Sequence, residues 1–500
     1  MQHNARPPRT TRPRRWRVSP TLARDDVWSG DQPIVAGVED ARAVLIELNL
    51  STDAEPRRVL DRLRDAFRRQ LGLPEPERLS TRYARALLTR DQLARLDPDR
   101  LPAGDPLARL ISRIWPDYVV EAHLDRSAAT VKADAATRTY AAAGTGVVWA
   151  VLDSGICPEH PHFRDGTLSD DAVLPLHRDF TYLVRGDAEP AAPEPKDALV
   201  DPAGHGTHVA AIIAGAAPAG PLHIACQDWV PRDGGDLPRW TTRTLEPGRM
   251  LSGLAPQARL VSLRVLDDNE TTCTSAVIKA LDHVREVNGN GTNPRIHGVN
   301  VSLGVAYNAQ EYAAGQSPLC RELDLLVGTG VVAVVSAGNG GTATDPFSGG
   351  DPHGSLSTIA DPGNAEKAIT VGSTHRDSPH TYGISFFSSK GPTLDGRRKP
   401  DIVAPGERIT SAAAGRFRTR SADLAGLSDG DACYIEESGT SQAAPHVSGA
   451  IAALLSARPE LKGRPDQVKK YLCDNATPLG RHEFFEGAGL LDLMRVFSNA

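Results

Sequence analysis

No stretch of this 500-residue chain approaches the roughly 18 consecutive apolar residues that a membrane-spanning helix needs. Nor does an apolar core follow the basic residues of Met1 to Arg24, so that segment does not read as a secretory signal. The expectation is a cytoplasmic protein whose Arg- and Pro-rich residues 1–40 form a solvated, disordered arm. The six cysteines (Cys157, Cys226, Cys273, Cys320, Cys433 and Cys473) show no C-x-x-C pair and no disulfide-module spacing, and are expected to be mostly reduced. Basic excess is also missing: a net charge of −6 sets nucleic acid aside as the main partner. Internal repeats are absent. What remains, 40% hydrophobic and 24% charged residues, is enough for a sizeable core.

Two regions follow the arm. In residues 41–125, Val44, Ile46, Leu48 and Leu50 alternate as in a strand, and Leu60, Leu63, Phe67 and Leu71 share one stripe of a helix over 55–71. A strand at 82–89, a short helix over 89–96 with a Thr N-cap and a closing strand at 118–124 complete a small α+β domain. Polar, Ala-rich residues 126–143 read as a linker. From 144 to 500 short apolar strands (147–152, 260–265, 299–303, 331–336, 369–372) alternate with apolar helices (209–214, 275–287). That pattern predicts an α/β fold with a parallel sheet covered on both faces, its site at the C-terminal strand ends. Segments 186–200 and 221–250 read as surface loops.

Four features sit at such ends. The first strand closes on Asp153-Ser154-Gly155, and Gly204-His205-Gly206-Thr207-His208 opens an apolar helix. Ser336-Ala337-Gly338-Asn339 ends a buried strand, and Gly439-Thr440-Ser441 opens another helix, with Pro445 expected in its first turn. Each has a bland reading: a loop Asp, a structural or metal-bound histidine pair, an Asn-Gly turn, a Ser N-cap. No H-E-x-x-H arrangement supports metal at His205 and His208, and Cys157, His160 and His162 read as a loop after the strand. Together the four carry one chemistry. A Ser hydroxyl needs an imidazole to take its proton, the imidazole needs a carboxylate to fix its tautomer, and an amide can complete an oxyanion site.

D-S-G at 153–155 with H-P-H-F at 160–163, G-H-G-T-H-V-A at 204–210, S-A-G-N at 336–339 and G-T-S-Q-A-A-P-H-V-S-G at 439–449 resemble the motifs of subtilisin-like serine proteases, the subtilases. The resemblance runs from about Gly144 to the C-terminus, and the order Asp, His, Asn, Ser excludes the chymotrypsin and α/β-hydrolase arrangements. It implies Ser441 as nucleophile, His205 as general base and then acid, Asp153 as its orienting carboxylate, and Asn339 with the Ser441 N–H as oxyanion donors. It further implies that Ser302, Leu303, Gly304 and Gly338 line a protein or peptide substrate. No cofactor and no catalytic metal are expected; calcium stays open as a structural ion, although no calcium loop is recognisable between Gly220 and Met250. Residues 41–125 resemble the family's inhibitory propeptide, with one strand missing between Leu71 and Thr81. Rival readings are an inactive subtilase fold used as a binding module, and an esterase or peptide ligase on the same scaffold.

Overall fold

A computed structural model describes residues 40–116 and 126–499, together with Arg17, Val18, Leu22 and Trp28; residues 53–55, 79–82, 103, 164–165, 231–236, 246–250, 345–351 and 429 lie outside the description. The chain divides into two compact units, Met1–Val120 and Glu121–Ala500.

In the first unit β1 (Arg42–Leu48) runs antiparallel between β3 (Tyr83–Leu88) and β4 (Ile111–Pro116), with β2 (Glu77–Arg78) beyond β3, giving the order β2-β3-β1-β4. Helix α1 (Pro56–Ala66) continues through a wider π turn (Phe67–Leu71) and buries Val59, Leu60, Leu63 and Phe67 against Val44, Ile46 and Leu48. Thr89 caps α2 (Arg90–Leu96) in a box with Gln92, and α3 (Pro106–Leu110) leads into β4. The strand missing from the sequence pattern is the two-residue β2, too short to show alternation. The closing strand is β4, upstream of the expected 118–124, which falls outside the described residues. Part of the expected disordered arm is folded: Val18 bridges to Ile114 and Leu22 is buried in this core.

The second unit begins in what reads as a linker. There α4 (Ser127–Thr130) and α5 (Ala133–Tyr140) bury Ala128, Val131, Ala133 and Ala136 in the main core. Its seven-stranded sheet comprises β5 (Val148–Asp153), β6 (Arg178–Asp179), β9 (Arg259–Arg264), β10 (Gly298–Val301), β11 (Val332–Ser336), β14 (Ile369–Thr374) and β15 (Ile402–Pro405). The order is β15-β14-β11-β10-β5-β9-β6, and every pairing is parallel. Trp149 and Val151 of β5 face one core with α6 (His205–Ile213) and α10 (Thr440–Ala457). Ala150 and Leu152 face the other, with α7 (Thr274–Val287) and α8 (Pro318–Gly328). Alternate residues are thus buried on both faces, as the apolar runs predict.

Residues 221–250 are not a plain surface loop: β7 (Leu222–Val230) and β8 (Leu237–Leu245) form a hairpin. It extends β16 (Ile409–Ala412) and β17 (Tyr434–Glu437) into a second sheet, ordered β16-β17-β7-β8, beside α9 (Gly415–Ala425). A small hairpin joins β12 (Thr342–Thr344) to β13 (Pro352–Gly354). Among the described residues no helix is long and apolar enough to cross a membrane.

Candidate active site

β5 ends on Asp153, whose carboxylate is 1% exposed at the C-terminal edge of the sheet. Its Oδ1 accepts the Ser154 N–H at 2.8 Å and the His205 Nδ1–H at 2.7 Å. That second bond commits Nε2 of His205 to the acceptor role. The approach depends on Gly206, where a Cβ would fall 2.1 Å from the Gly155 carbonyl oxygen and 3.1 Å from the Asp153 Cβ. Burial by itself lowers the His205 pKa, but the charge and hydrogen bond of Asp153, reinforced by Asp201 and Glu270, outweigh it and raise the value above the usual 6.5.

A buried network holds this pair. Ser154 Oγ donates to Asp201 Oδ1 at 2.8 Å and accepts from the Gly206 N–H at 2.9 Å. Asp201 Oδ1 also accepts the Gly204 N–H at 2.8 Å, and its Oδ2 takes the N–H and the hydroxyl of Thr207 at 2.8 and 2.6 Å. Asp201 thereby serves the unpaired N–H groups at the start of α6. Ser154, Asp201 and Thr207 escaped the sequence reading although they lie inside or beside its motifs. Their signal was a Ser and an Asp in reach of a helix start.

Ser441 is the second residue of α10, and Gly439 is the N-cap. Pro445 stands in the second turn rather than the first, so the Ser441 carbonyl lacks its helical N–H partner. Ser302 Oγ donates to that carbonyl at 3.0 Å. Ser302 Oγ accepts from Asn300 Nδ2 at 2.8 Å, and Asn300 Oδ1 accepts the Ser448 hydroxyl at 2.8 Å, so the whole chain of bonds is buried and directional. In return the Ser441 hydroxyl donates to the Ser302 carbonyl at 3.0 Å.

Asn339 lies in the exposed turn after β11. Its Oδ1 accepts the Thr440 N–H at 2.9 Å and the Thr440 hydroxyl at 3.0 Å, and Thr440 Oγ1 in turn accepts the Gly338 N–H at 3.1 Å. With the oxygen so held, Nδ2 is the free end of the amide. A Cβ on Gly439 would lie 3.5 Å from this Nδ2 and 3.6 Å from the Ser441 nitrogen, so the two donors border one spot. The Ser441 N–H makes no hydrogen bond among the described residues, as expected in a first helical turn.

β10 ends at Val301, two residues before the expected limit. Beyond it the side chains of Ser302 and Leu303 are buried while Gly304 is exposed, and the chain rejoins regular pairing only at Val305, opposite Asp361. Gly338 has φ +101°, and a Cβ there would meet Ala360 Cβ and Ser389 Oγ at 3.0 Å.

The other histidines of these motifs do something different. His160 Nε2 binds the Cys433 carbonyl at 2.9 Å, His162 Nε2 the Ala211 carbonyl at 3.2 Å, and His208 Nε2 the Ile435 carbonyl at 3.3 Å. Burial lowers their pKa values to about 4, 3 and 3. Among the described residues no group of three His, Cys, Asp or Glu side chains is placed to hold a metal ion. The Cys157 thiol donates to Glu159 at 3.6 Å, and burial raises its pKa.

The subtilase family model matches residues 144–490. Over 374 residues the chain is 28% identical to serine protease AprX of Bacillus subtilis, a match covering 72% of this chain and 68% of the relative. It is 27% identical to subtilisin E of the same organism over 350 residues, 70% of this chain and 65% of the relative. Pyrolysin of Pyrococcus furiosus is 32% identical over 312 residues, 55% of this chain but 19% of that protein.

Proposed function

The chain belongs to the subtilase family and is a subtilisin-like serine endopeptidase; from that premise we propose how its residues divide the work and what its N-terminal unit does. A peptide chain lies extended along Ser302–Gly304, lending its backbone to the segment that β10 leaves unpaired. Ser441 Oγ turns from the Ser302 carbonyl to His205, gives up its proton to Nε2 and bonds to the substrate carbonyl carbon. Asp153 stabilises the imidazolium without taking its proton. Asn339 Nδ2 and the Ser441 N–H receive the oxyanion, aided by the N-terminus of α10. His205 then protonates the departing amine, the amide bond breaks, and water releases the acid from the acyl-enzyme by the same steps in reverse.

The observation that carries this reading is the 2.7 Å bond from His205 Nδ1–H to the buried Asp153 carboxylate, which pairs with no Lys or Arg among the described residues, beside a second helix whose N-terminus carries the Ser441 hydroxyl. A sulfonyl fluoride should label one site, in the peptide containing Ser441, and His205→Ala should slow that labelling by several orders of magnitude. Labelling elsewhere, or unaffected by the substitution, would remove these residues from the reaction.

The Met1–Val120 unit acts in this proposal as an intramolecular inhibitor released by cleavage before Ser127. Three features support it. It is a compact unit, its antiparallel sheet is complete without the catalytic chain, and its charge complements the rest. Residues 1–120 hold 22 arginines and no lysine against 17 acidic residues, while 121–500 hold 34 basic and 45 acidic residues. Free thiols at Cys157, Cys226, Cys273, Cys320 and Cys473 support action in a reducing compartment.

A further inference from the structure

Helix α9 and its flanks occupy a place that neither the triad nor the oxyanion donors use. Gly415 starts the helix hard against the loop before His205: a Cβ there would lie 2.2 Å from the Pro202 carbonyl oxygen, and the Arg416 N–H donates to that oxygen at 2.9 Å. Phe417 meets the His205 ring edge-on, centroids 6.3 Å apart at 88°. Arg420 stacks on Phe417 at 4.7 Å and pairs with Glu437, which fixes the aromatic ring from behind. From the same turn the Arg416 guanidinium reaches Glu270 at 3.0 Å and also binds the Asp268 carbonyl. Both lie in the loop that leaves β9.

The sheet order gives this bridge a direction. β5 stands between β10 and β9, so the Ser302–Gly304 segment and the Leu266–Thr272 loop flank the strand end that carries Asp153. Successive side chains of an extended peptide point in opposite directions. When the acyl residue projects towards Gly338, on the β11 side, the residue before it projects towards His205 and the β9 loop. The half-buried Phe417 ring is the apolar surface against His205 there, and the Arg416–Glu270 pair ties its helix to the β9 loop.

We propose that the Arg416–Glu270 bridge, carried over Phe417, restricts the residue immediately N-terminal to the cleaved acyl residue to small side chains. The inference rests on the endopeptidase reading and adds a selectivity to it. It is tested with peptides identical except for Ala or Phe at that position. The wild type should favour Ala in kcat/KM by at least about tenfold, the discrimination a closed pocket wall supplies. Arg416→Ala and Glu270→Ala, on separate loops, should each reduce that ratio at least severalfold, and the double variant should reduce it no further. Thermal melting of each variant checks folding, and Glu270→Gln keeps the shape while removing the charge. A wild type that takes Phe as readily as Ala, or a ratio unmoved in folded Arg416→Ala and Glu270→Ala, overturns the proposal. If the wild type cleaves none of the peptides, the endopeptidase reading fails first.

Discussion

The protonation of His205 is set mainly by Asp153, with Asp201 and Glu270 adding to it. Asp153 raises its pKa against the pull of burial, and only the neutral imidazole can take the Ser441 proton. Turnover should therefore rise with pH through a limb lying above the usual imidazole value of about 6.5. Asp153→Asn removes the charge that sustains the shift, so its residual activity should show the limb at lower pH and a turnover lower by about 10⁴-fold, as for the equivalent change in another serine-protease triad. An unmoved limb would detach the carboxylate from the histidine. Asn339→Ala should lower kcat by about 10²–10³-fold with little change in KM, a magnitude measured for subtilisin itself. A rise in KM alone would place Asn339 in ground-state binding. At this scale the sequence was most informative. Asp153, His205, Asn339 and Ser441 stand out because each sits where a strand ends or a helix begins. The Ser302–Ser441 exchange was hidden, because it depends on a carbonyl that Pro445 deprives of its partner from four residues away.

Between elements, close approach decides. α6 reaches β5 only because position 206 has no side chain, and a Cβ at 2.1 Å from a backbone oxygen cannot be relieved by a rotamer change. Gly206→Ala should push α6 outward, abolishing turnover and lowering Tm. A variant with wild-type activity would mean that the catalytic pair does not need this contact. Asp201→Ala removes two carboxylate oxygens and leaves four buried donors without their acceptor. Leaving buried donors unpaired costs about 1–3 kcal/mol each, so instability and lost turnover should appear together. The elements least legible in the sequence were those whose apolar residues are few or small. β8 is rich in Thr and Arg, with one face towards solvent, and read as loop although Thr favours strands. The Ala-rich stretch at 127–140 read as linker because alanine burial leaves little hydropathy signal, yet small side chains let these helices lie close to α10.

For the whole molecule, two opposing titrations set the acid response. His160, His162, His208 and His446 are buried and neutral, with pKa values lowered to about 4, 3, 3 and 4. In the unfolded chain they take up protons near pH 6.5, so each draws stability away as pH falls below that value, by about 1.4 kcal/mol per pH unit until its folded pKa is reached. His205, raised, has the opposite sign: its contribution is present below about pH 6.5 and is lost as pH rises through its folded pKa. Four groups outweigh one, and the Tm should fall steeply between about pH 6 and 4. A flat profile over that interval would show that the buried histidines are already protonated in the folded state.

Ser441 as the nucleophile of an endopeptidase is the assignment on which every other role depends. Its most direct test is intact mass spectrometry of the wild-type chain and of Ser441→Ala, each incubated alone and with unfolded casein. The wild type should fragment casein and lose a piece close to its first 120 residues, while Ser441→Ala, folded to the same Tm, should stay whole and leave casein intact. Casein cut by an unprocessed wild type would keep the nucleophile and retire the inhibitor reading. Casein degraded equally by Ser441→Ala would contradict that assignment.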